Sequence, residues 1–172
     1  MCQYRILKVR RALKNTEKVV LLHEDNLNRI LSGPLFSILL SDRWEETGIS
    51  RSYYYSGLKT LRELRLIEDN AIAFKVALAY RYERNCLRLL SDKLAFVSKG
   101  RIVISMGLSE RPNCLSCELL TECIYGLKLI KTELRLKSTS VDPHERWIEN
   151  INEIEERLKR NDVETELVLK KG

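Results

Sequence analysis

Three of the five cysteines in this 172-residue chain lie within ten residues of one another. They form a C-x2-C-x5-C pattern at Cys114, Cys117 and Cys123. The first two thiols are spaced to grip one ion, and the third returns about one helical turn later, so three sulfurs can converge on a single centre. We therefore expect a metal site in this stretch, and a chain that is organised around it.

A cubane [4Fe-4S] cluster suits this spacing best, because it needs several thiolates around one compact object. Zinc is the alternative, although structural zinc more often uses two separated ligand pairs. The two histidines, His23 and His144, are far apart in the sequence and do not form an H-x3-5-H unit. Reduced thiols without a metal are a third reading. A structural disulfide is disfavoured, since three clustered cysteines leave one over.

The cysteine stretch supplies three ligands, whereas a cubane usually takes four. The other cysteines of the chain are Cys86 and Cys2. We predict a helix over residues 76–90, in which Cys86 lies on the apolar face, and the plain reading of such a cysteine is a small core residue. The compact three-cysteine site makes Cys86 the preferred fourth ligand, ahead of Cys2 beside the chain terminus.

A run of three helices is predicted in the first half of the chain. Gly48 ends the second helix in a left-handed conformation, and Ser50 caps the third, which covers residues 51–65. A two-residue turn at Asp69-Asn70 then joins two short strands. This order of elements is the signature of a winged helix-turn-helix, whose third helix enters the major groove of DNA.

The third helix has two chemically distinct faces. The inward stripe is apolar and aromatic and comprises Tyr54, Leu58, Leu61 and Leu64. The opposite face, with spacing i, i+4, i+8 and i+11, comprises Arg51, Tyr55, Lys59 and Arg62. Arginine and lysine on such a face reach phosphates or guanine edges, so we predict that these four residues bind DNA. The alternative is a helix-turn-helix unit that only packs against protein.

The charge of the chain favours a polyanionic partner. Lysine and arginine number 30 against 24 aspartate and glutamate, which gives a net charge of +6. Residues 1–65 hold twelve basic and seven acidic residues, whereas residues 141–172 hold six and nine. We predict a basic amphipathic helix and a short strand over residues 1–24. Because there is no apolar run of eighteen residues and no signal segment, we predict a cytoplasmic protein without a membrane partner.

The last helix is predicted to begin at Asp142-Pro143. It carries a narrow apolar seam on an otherwise acidic helix, made of Trp147, Ile151, Ile154 and Leu158. Such a seam packs against its own domain or against a partner helix. We predict a partner, because the seam follows two cores that already look complete.

These elements predict a mainly α chain with small β hairpins. We expect a basic segment over residues 1–24 and a winged helix-turn-helix domain over residues 25–106, which includes a second hairpin near its end. A small cysteine-ligated iron-sulfur domain over residues 107–140 and a C-terminal amphipathic helix and tail over residues 141–172 complete the prediction.

A winged helix followed by a short cysteine-ligated domain resembles the beta subunit of archaeal transcription factor E. That family is related to a winged-helix subunit of the RNA polymerase III initiation subcomplex. The resemblance covers residues 34–125, and its specific residues are the three clustered cysteines and Ile124-Tyr125. It implies a non-enzymatic transcription initiation factor with a cubane cluster, which pairs with a second subunit as a heterodimer, contacts RNA polymerase and helps to open promoter DNA. The family's further cysteine downstream has no counterpart here.

Two other classes share the cysteine spacing. Redox-responsive regulators of the WhiB type also have an upstream cysteine, but the tryptophan-bearing glycine turn that follows their cluster is absent around Gly126. Nucleases with this spacing need a carboxylate and lysine constellation on strands, which is not evident. The chain also lacks a G-x-S-x-G turn, a P-loop and a G-x-G-x-x-G motif, so we predict that it is not an enzyme. The alternative function is a sequence-specific iron-sulfur regulator that senses redox state.

Overall fold

The computed structural model describes residues 3–14, 18–106 and 113–160. Within these residues, the chain forms seven strands, five α-helices and two short 3-10 turns, at Trp44–Glu46 and Cys114–Ser116. In chain order, the strands and helices are β1 Gln3–Lys8, β2 Val19–His23, α1 Glu24–Ser32, α2 Leu35–Leu40, α3 Arg51–Glu63, β3 Ile67–Glu68, β4 Ala71–Ile72, β5 Val76–Glu83, β6 Cys86–Ser98, β7 Arg101–Met106, α4 Leu120–Leu134 and α5 Pro143–Arg160.

A five-stranded sheet forms the centre of the fold, with strand order β1-β7-β6-β5-β2. Neighbouring strands are antiparallel, except that β2 and β5 are parallel. Parallel strands need a crossover connection, and here α1, α2, α3 and the separate β3–β4 hairpin supply it. The prediction of a mainly α chain with small hairpins is therefore wrong, because the chain is mixed α/β.

The helix predicted over residues 76–90 is in fact a long hairpin. Its turn is Arg84-Asn85, where both residues have positive φ angles of 50° and 62°, as a two-residue hairpin turn requires. Alternate residues of β5 enter opposite cores, so apolar side chains follow one another without the polar alternation that marks a half-exposed strand. The predicted basic helix near the N-terminus is also wrong, because Gln3–Lys8 is a strand that pairs with β7.

Two hydrophobic cores lie on opposite faces of the sheet. The first core packs α1, α2 and α3 against one face, where Ala77, Ala95 and Val97 point. The second core packs α4 and α5 against the other face, where Leu78 and Phe96 point. Both helical layers therefore share one sheet within the described residues. The cysteine segment packs on the same sheet as the predicted DNA-binding helix.

Several local predictions are confirmed. Helix α3 follows a capping Ser50, whose Oγ accepts a hydrogen bond from the Tyr53 amide at 3.3 Å. Gly48 has a φ of 69°, and the Asp69-Asn70 turn has φ angles of 51° and 60°. The second hairpin joins β6 and β7, and α5 begins at Pro143 as predicted. In the described part of the chain, no helix combines the length and apolarity needed to cross a membrane.

Candidate functional site

Helix α3 is seated closely against α2. Three residues of the predicted inward stripe, Tyr54, Leu58 and Leu61, are at most 3% exposed. The fourth, Leu64, follows the end of α3 and is partly buried. Gly57 is also buried, and a Cβ atom at this position would overlap Ile38 Cδ1 and lie 3.1 Å from Leu35 Cδ2. The absence of a side chain at Gly57 therefore sets how closely the two helices approach.

The outer face of α3 is exposed, and it carries the four residues predicted to bind DNA: Arg51, Tyr55, Lys59 and Arg62. The Arg51 guanidinium lies 5.9 Å from the centroid of the Tyr55 ring, within the range of a cation–π contact. Arg62 Nη2 donates to Asn70 Oδ1 at 2.8 Å, which ties the end of the helix to the β3–β4 turn. The structure thus brings all four residues to one surface. Ser52, Tyr53 and Ser56 are exposed on the same helix, although the charge pattern did not single them out.

The tip of the β3–β4 hairpin is acidic. Lys14 Nζ lies 2.6 Å from Glu68 Oε1 and 3.4 Å from Asp69 Oδ2. The hydrogen bond to Glu68 raises the pKa of Lys14. Two carboxylates at this tip disfavour a nearby phosphate, whereas the outer face of α3 carries exposed positive charge.

A buried arginine holds the α2–α3 unit in place. Arg11 is 3% exposed, and its guanidinium donates to the carbonyl oxygens of Ile38 at 2.6 Å and Leu39 at 3.3 Å. These two carbonyls belong to the last turn of α2, where no amide of the helix is available to donate to them. Because its guanidinium is engaged in these buried hydrogen bonds, Arg11 is a structural residue. The sequence alone shows only that it lies in a basic stretch.

The cysteine stretch borders a second site on the other face of the sheet. Cys114, Cys117 and Cys123 all line one cavity of about 80 Å³. The Cys117 amide donates to the Cys114 carbonyl at 3.2 Å, which closes the turn between the first two thiols. Cys123 lies in the first turn of α4, and its Sγ accepts a hydrogen bond from Trp147 Nε1 at 2.9 Å. The structure therefore brings the three predicted ligands to one cavity.

His144 also lines this cavity, and the sequence did not single it out as a ligand. It lies in the first turn of α5, 21 positions after Cys123. Its Nδ1 atom is buried and has no hydrogen-bond partner within the described residues. The sequence shows that His144 directly follows Pro143 at the start of a helix. It does not show what that end of the helix faces.

Cys86 does not join the other cysteines. It is exposed and begins β6, beside the Arg84-Asn85 turn. Ser91 is the nearest cavity-lining residue on that strand, and it is five positions away, roughly 16 Å along an extended chain. The helix that was expected to bring Cys86 to the site is absent. Cys2, the other candidate, lies outside the described residues.

The fit of this site to a metal is mixed. Across residues 3–14, 18–106 and 113–160, no group of three or more histidine, cysteine, aspartate or glutamate side chains is already arranged to hold a metal ion. The four donors that line the cavity are nevertheless three sulfurs and one imidazole. That set is a standard one for structural zinc, whereas a cubane is usually held by four cysteines.

The seam predicted to bind a partner is used within the chain. Trp147, Ile151, Ile154 and Leu158 are between 2% and 6% exposed and belong to the second core. Glu155 on the same helix accepts hydrogen bonds from Arg88 Nη1 at 2.9 Å and from the Leu89 amide at 3.0 Å, which fix α5 to β6. In this structure the seam is not an exposed surface.

No family model, no curated protein and no solved structure matches the chain.

Proposed function

We propose that the chain is a non-enzymatic, cytoplasmic transcription protein that binds duplex DNA through α3. The observation that carries the proposal is the outer face of α3, where basic and hydrogen-bonding side chains stand exposed on a firmly seated helix. Thirteen residues give a helix about 20 Å long. The major groove, about 12 Å wide, admits a helix of this kind.

Each residue of the face has a distinct role in this proposal. Arg51 and Lys59 supply the positive charge for phosphates or guanine edges. Tyr55 supplies a hydroxyl and an aromatic ring, which Arg51 holds through the cation–π contact. Asn70 orients Arg62, which contacts the DNA backbone near the C-terminal end of α3. The small side chains of Ser52 and Ser56 let the helix backbone approach the base edges.

Two roles in transcription are compatible with this contact. As an initiation-factor subunit, the chain would pair with a second subunit and RNA polymerase, and would assist promoter opening. As a sequence-specific regulator, it would act without a partner subunit. The burial of the Trp147 seam in the chain's own core favours the regulator, because the surface that motivated a heterodimer is occupied.

Selection from a random pool of duplexes tests the function. We expect the protein to enrich one site and to bind it at least about a thousandfold more tightly than random DNA, as specific regulators do. Uniform weak binding would instead favour a basal factor, and no binding at low salt would overturn the proposal.

A pair of charge-reversal variants tests the surface. Arg51→Glu/Lys59→Glu should weaken binding by more than about tenfold, since it replaces two attractive charges with repulsive ones. The matched control is Lys128→Glu/Arg160→Glu, which makes the same change in net charge at exposed positions of α4 and α5. Equal losses in both variants would show that only net charge matters and that α3 is not the interface.

A further inference from the structure

The cavity between the sheet and the first turns of α4 and α5 does not suit an organic ligand. Its volume is about 80 Å³, whereas pockets for small molecules usually exceed about 300 Å³. Its walls are mostly apolar, with Leu94, Phe96 and Val103 contributed by the sheet. Against these walls stand three thiols and one imidazole. A small cavity lined by three thiols and one imidazole is suited to a metal ion that draws these donors together.

His144 gives an independent reason to place a ligand here. Its Nδ1 atom is buried without a partner among the described residues. A buried polar atom of this kind destabilises the fold unless it is paired, and native proteins rarely leave one unsatisfied. A bound cation accepts the imidazole lone pair and removes this cost. Cys86 lies elsewhere, so among the described residues the fourth donor at the cavity is the imidazole of His144.

The positions of two donors in the fold also suit a metal site. Cys123 and His144 lie in the first turns of α4 and α5, and both residues line the cavity. The Trp147 indole donates to Cys123 Sγ at 2.9 Å, as an outer-shell partner does for a metal-bound thiolate.

We infer that Cys114, Cys117, Cys123 and His144 bind one Zn²⁺ ion, which fastens the starts of α4 and α5 to the sheet. Three thiolates and one imidazole complete the tetrahedral set of a closed structural site. The four donors are not yet arranged around one point, so the ion must draw them together, and its binding should stabilise the fold. The inference concerns the face of the sheet opposite α3 and does not depend on DNA binding.

The test uses full-length protein that has been reduced and freed of metal, then titrated with Zn²⁺ against a chromophoric chelator. We expect one ion per chain and a rise in melting temperature. Co²⁺ should give thiolate-to-metal charge transfer and the visible bands of a tetrahedral site. His144→Ala should weaken Zn²⁺ binding by more than about 100-fold, beyond the loss of an outer-shell partner. His144→Cys should restore binding with a cobalt spectrum shifted towards four sulfurs.

The controls use the other histidine and the exposed cysteine. His23→Ala and Cys86→Ser should bind Zn²⁺ as the parent does, because both residues lie away from the cavity. Unchanged affinity in His144→Ala would remove His144 from the ligand set. If protein prepared without oxygen contains iron and sulfide, and the Cys86→Ser variant loses them, the site holds a cubane cluster and the zinc inference is wrong. Failure to bind either metal would overturn the site, while the DNA-binding measurements would stand independently.

Discussion

Replacing Arg11 with methionine should destabilise the protein more than a substitution at a neighbouring position. The guanidinium makes five hydrogen bonds within a site that is 3% exposed. Its acceptors are the carbonyls of Ile38, Leu39, Ser41 and Asn70, at 2.5–3.3 Å, and the Tyr54 hydroxyl at 3.1 Å. Methionine fills similar space but donates nothing, so the end of α2 loses its cap.

The size of the expected loss in stability depends on which acceptors keep another hydrogen-bond partner when the guanidinium is removed. The Ser41 carbonyl retains the Tyr54 hydroxyl, and the Asn70 carbonyl is only partly buried, so water can reach it. The carbonyls of Ile38 and Leu39 are left unsatisfied, at about 1–3 kcal/mol each. Relief from burying a charge offsets part of this loss. We expect Arg11→Met to lower the free energy of unfolding by about 3 kcal/mol, out of a typical 5–15 kcal/mol.

Urea denaturation followed by circular dichroism measures this loss, which should move the midpoint by about 1–2 M. Arg11→Lys keeps the charge but offers only three donors, so an intermediate loss is expected. The matched control is Arg10→Met, because the Arg10 side chain is 65% exposed and, among the described residues, forms an ion pair with Glu46 at 3.1 Å. It should change stability by less than about 0.5 kcal/mol. A loss below 1 kcal/mol for Arg11→Met, or one equal to that of Arg10→Met, would refute the capping role.

Two further predictions concern packing and pH. Gly57→Ala should destabilise the protein by about 1–2 kcal/mol, because overpacking against Ile38 Cδ1 exceeds the gain in helix propensity. Ile38→Val removes that atom, so adding it to Gly57→Ala should recover stability, and a double-mutant cycle without coupling would exclude this contact. At Glu155, burial acts to raise the pKa, but hydrogen bonds from Lys159, Leu89 and Arg88 outweigh it, so the pKa lies below its ordinary value of 4.5. The carboxylate therefore stabilises the fold fully above that value and loses this effect as the pH falls through the lowered pKa. Glu155→Gln should cost about 1–2 kcal/mol at pH 7 and progressively less in acid, and a difference that does not change with pH would contradict the assignment.

The predictions that the structure confirms depend on local sequence signals. The cap at Ser50, the positive φ at Gly48 and the Asp69-Asn70 turn each depend on a few adjacent residues, and each is present in the structure. The apolar stripe of α3 and the seam of α5 follow from helical periodicity, and both are buried except for the partly buried Leu64. Periodicity shows which face is apolar, but it does not show what covers it. The α5 seam is covered by the chain's own sheet.

Features that depend on distant parts of the chain were missed. The sheet joins β1 to β7, whose residues are about a hundred positions apart, and no local pattern reports that pairing. The first four residues of β5, residues 76–79, are buried on both faces, so their sequence lacks the alternation of a half-exposed strand. His144 comes beside the cysteines only because α4 and α5 begin at the same cavity. Arg11 is indistinguishable in sequence from the exposed arginine before it.

The salt dependence of DNA binding tests the central claim, that α3 contacts the DNA backbone. Each phosphate contact contributes about −0.9 to the slope of log affinity against log salt concentration. Lys59→Ala should therefore make the slope shallower by about one. Lys128→Ala, an exposed lysine on the opposite side of the sheet, should leave it unchanged. Equal slopes for the parent protein and Lys59→Ala, or a change confined to Lys128→Ala, would contradict the account.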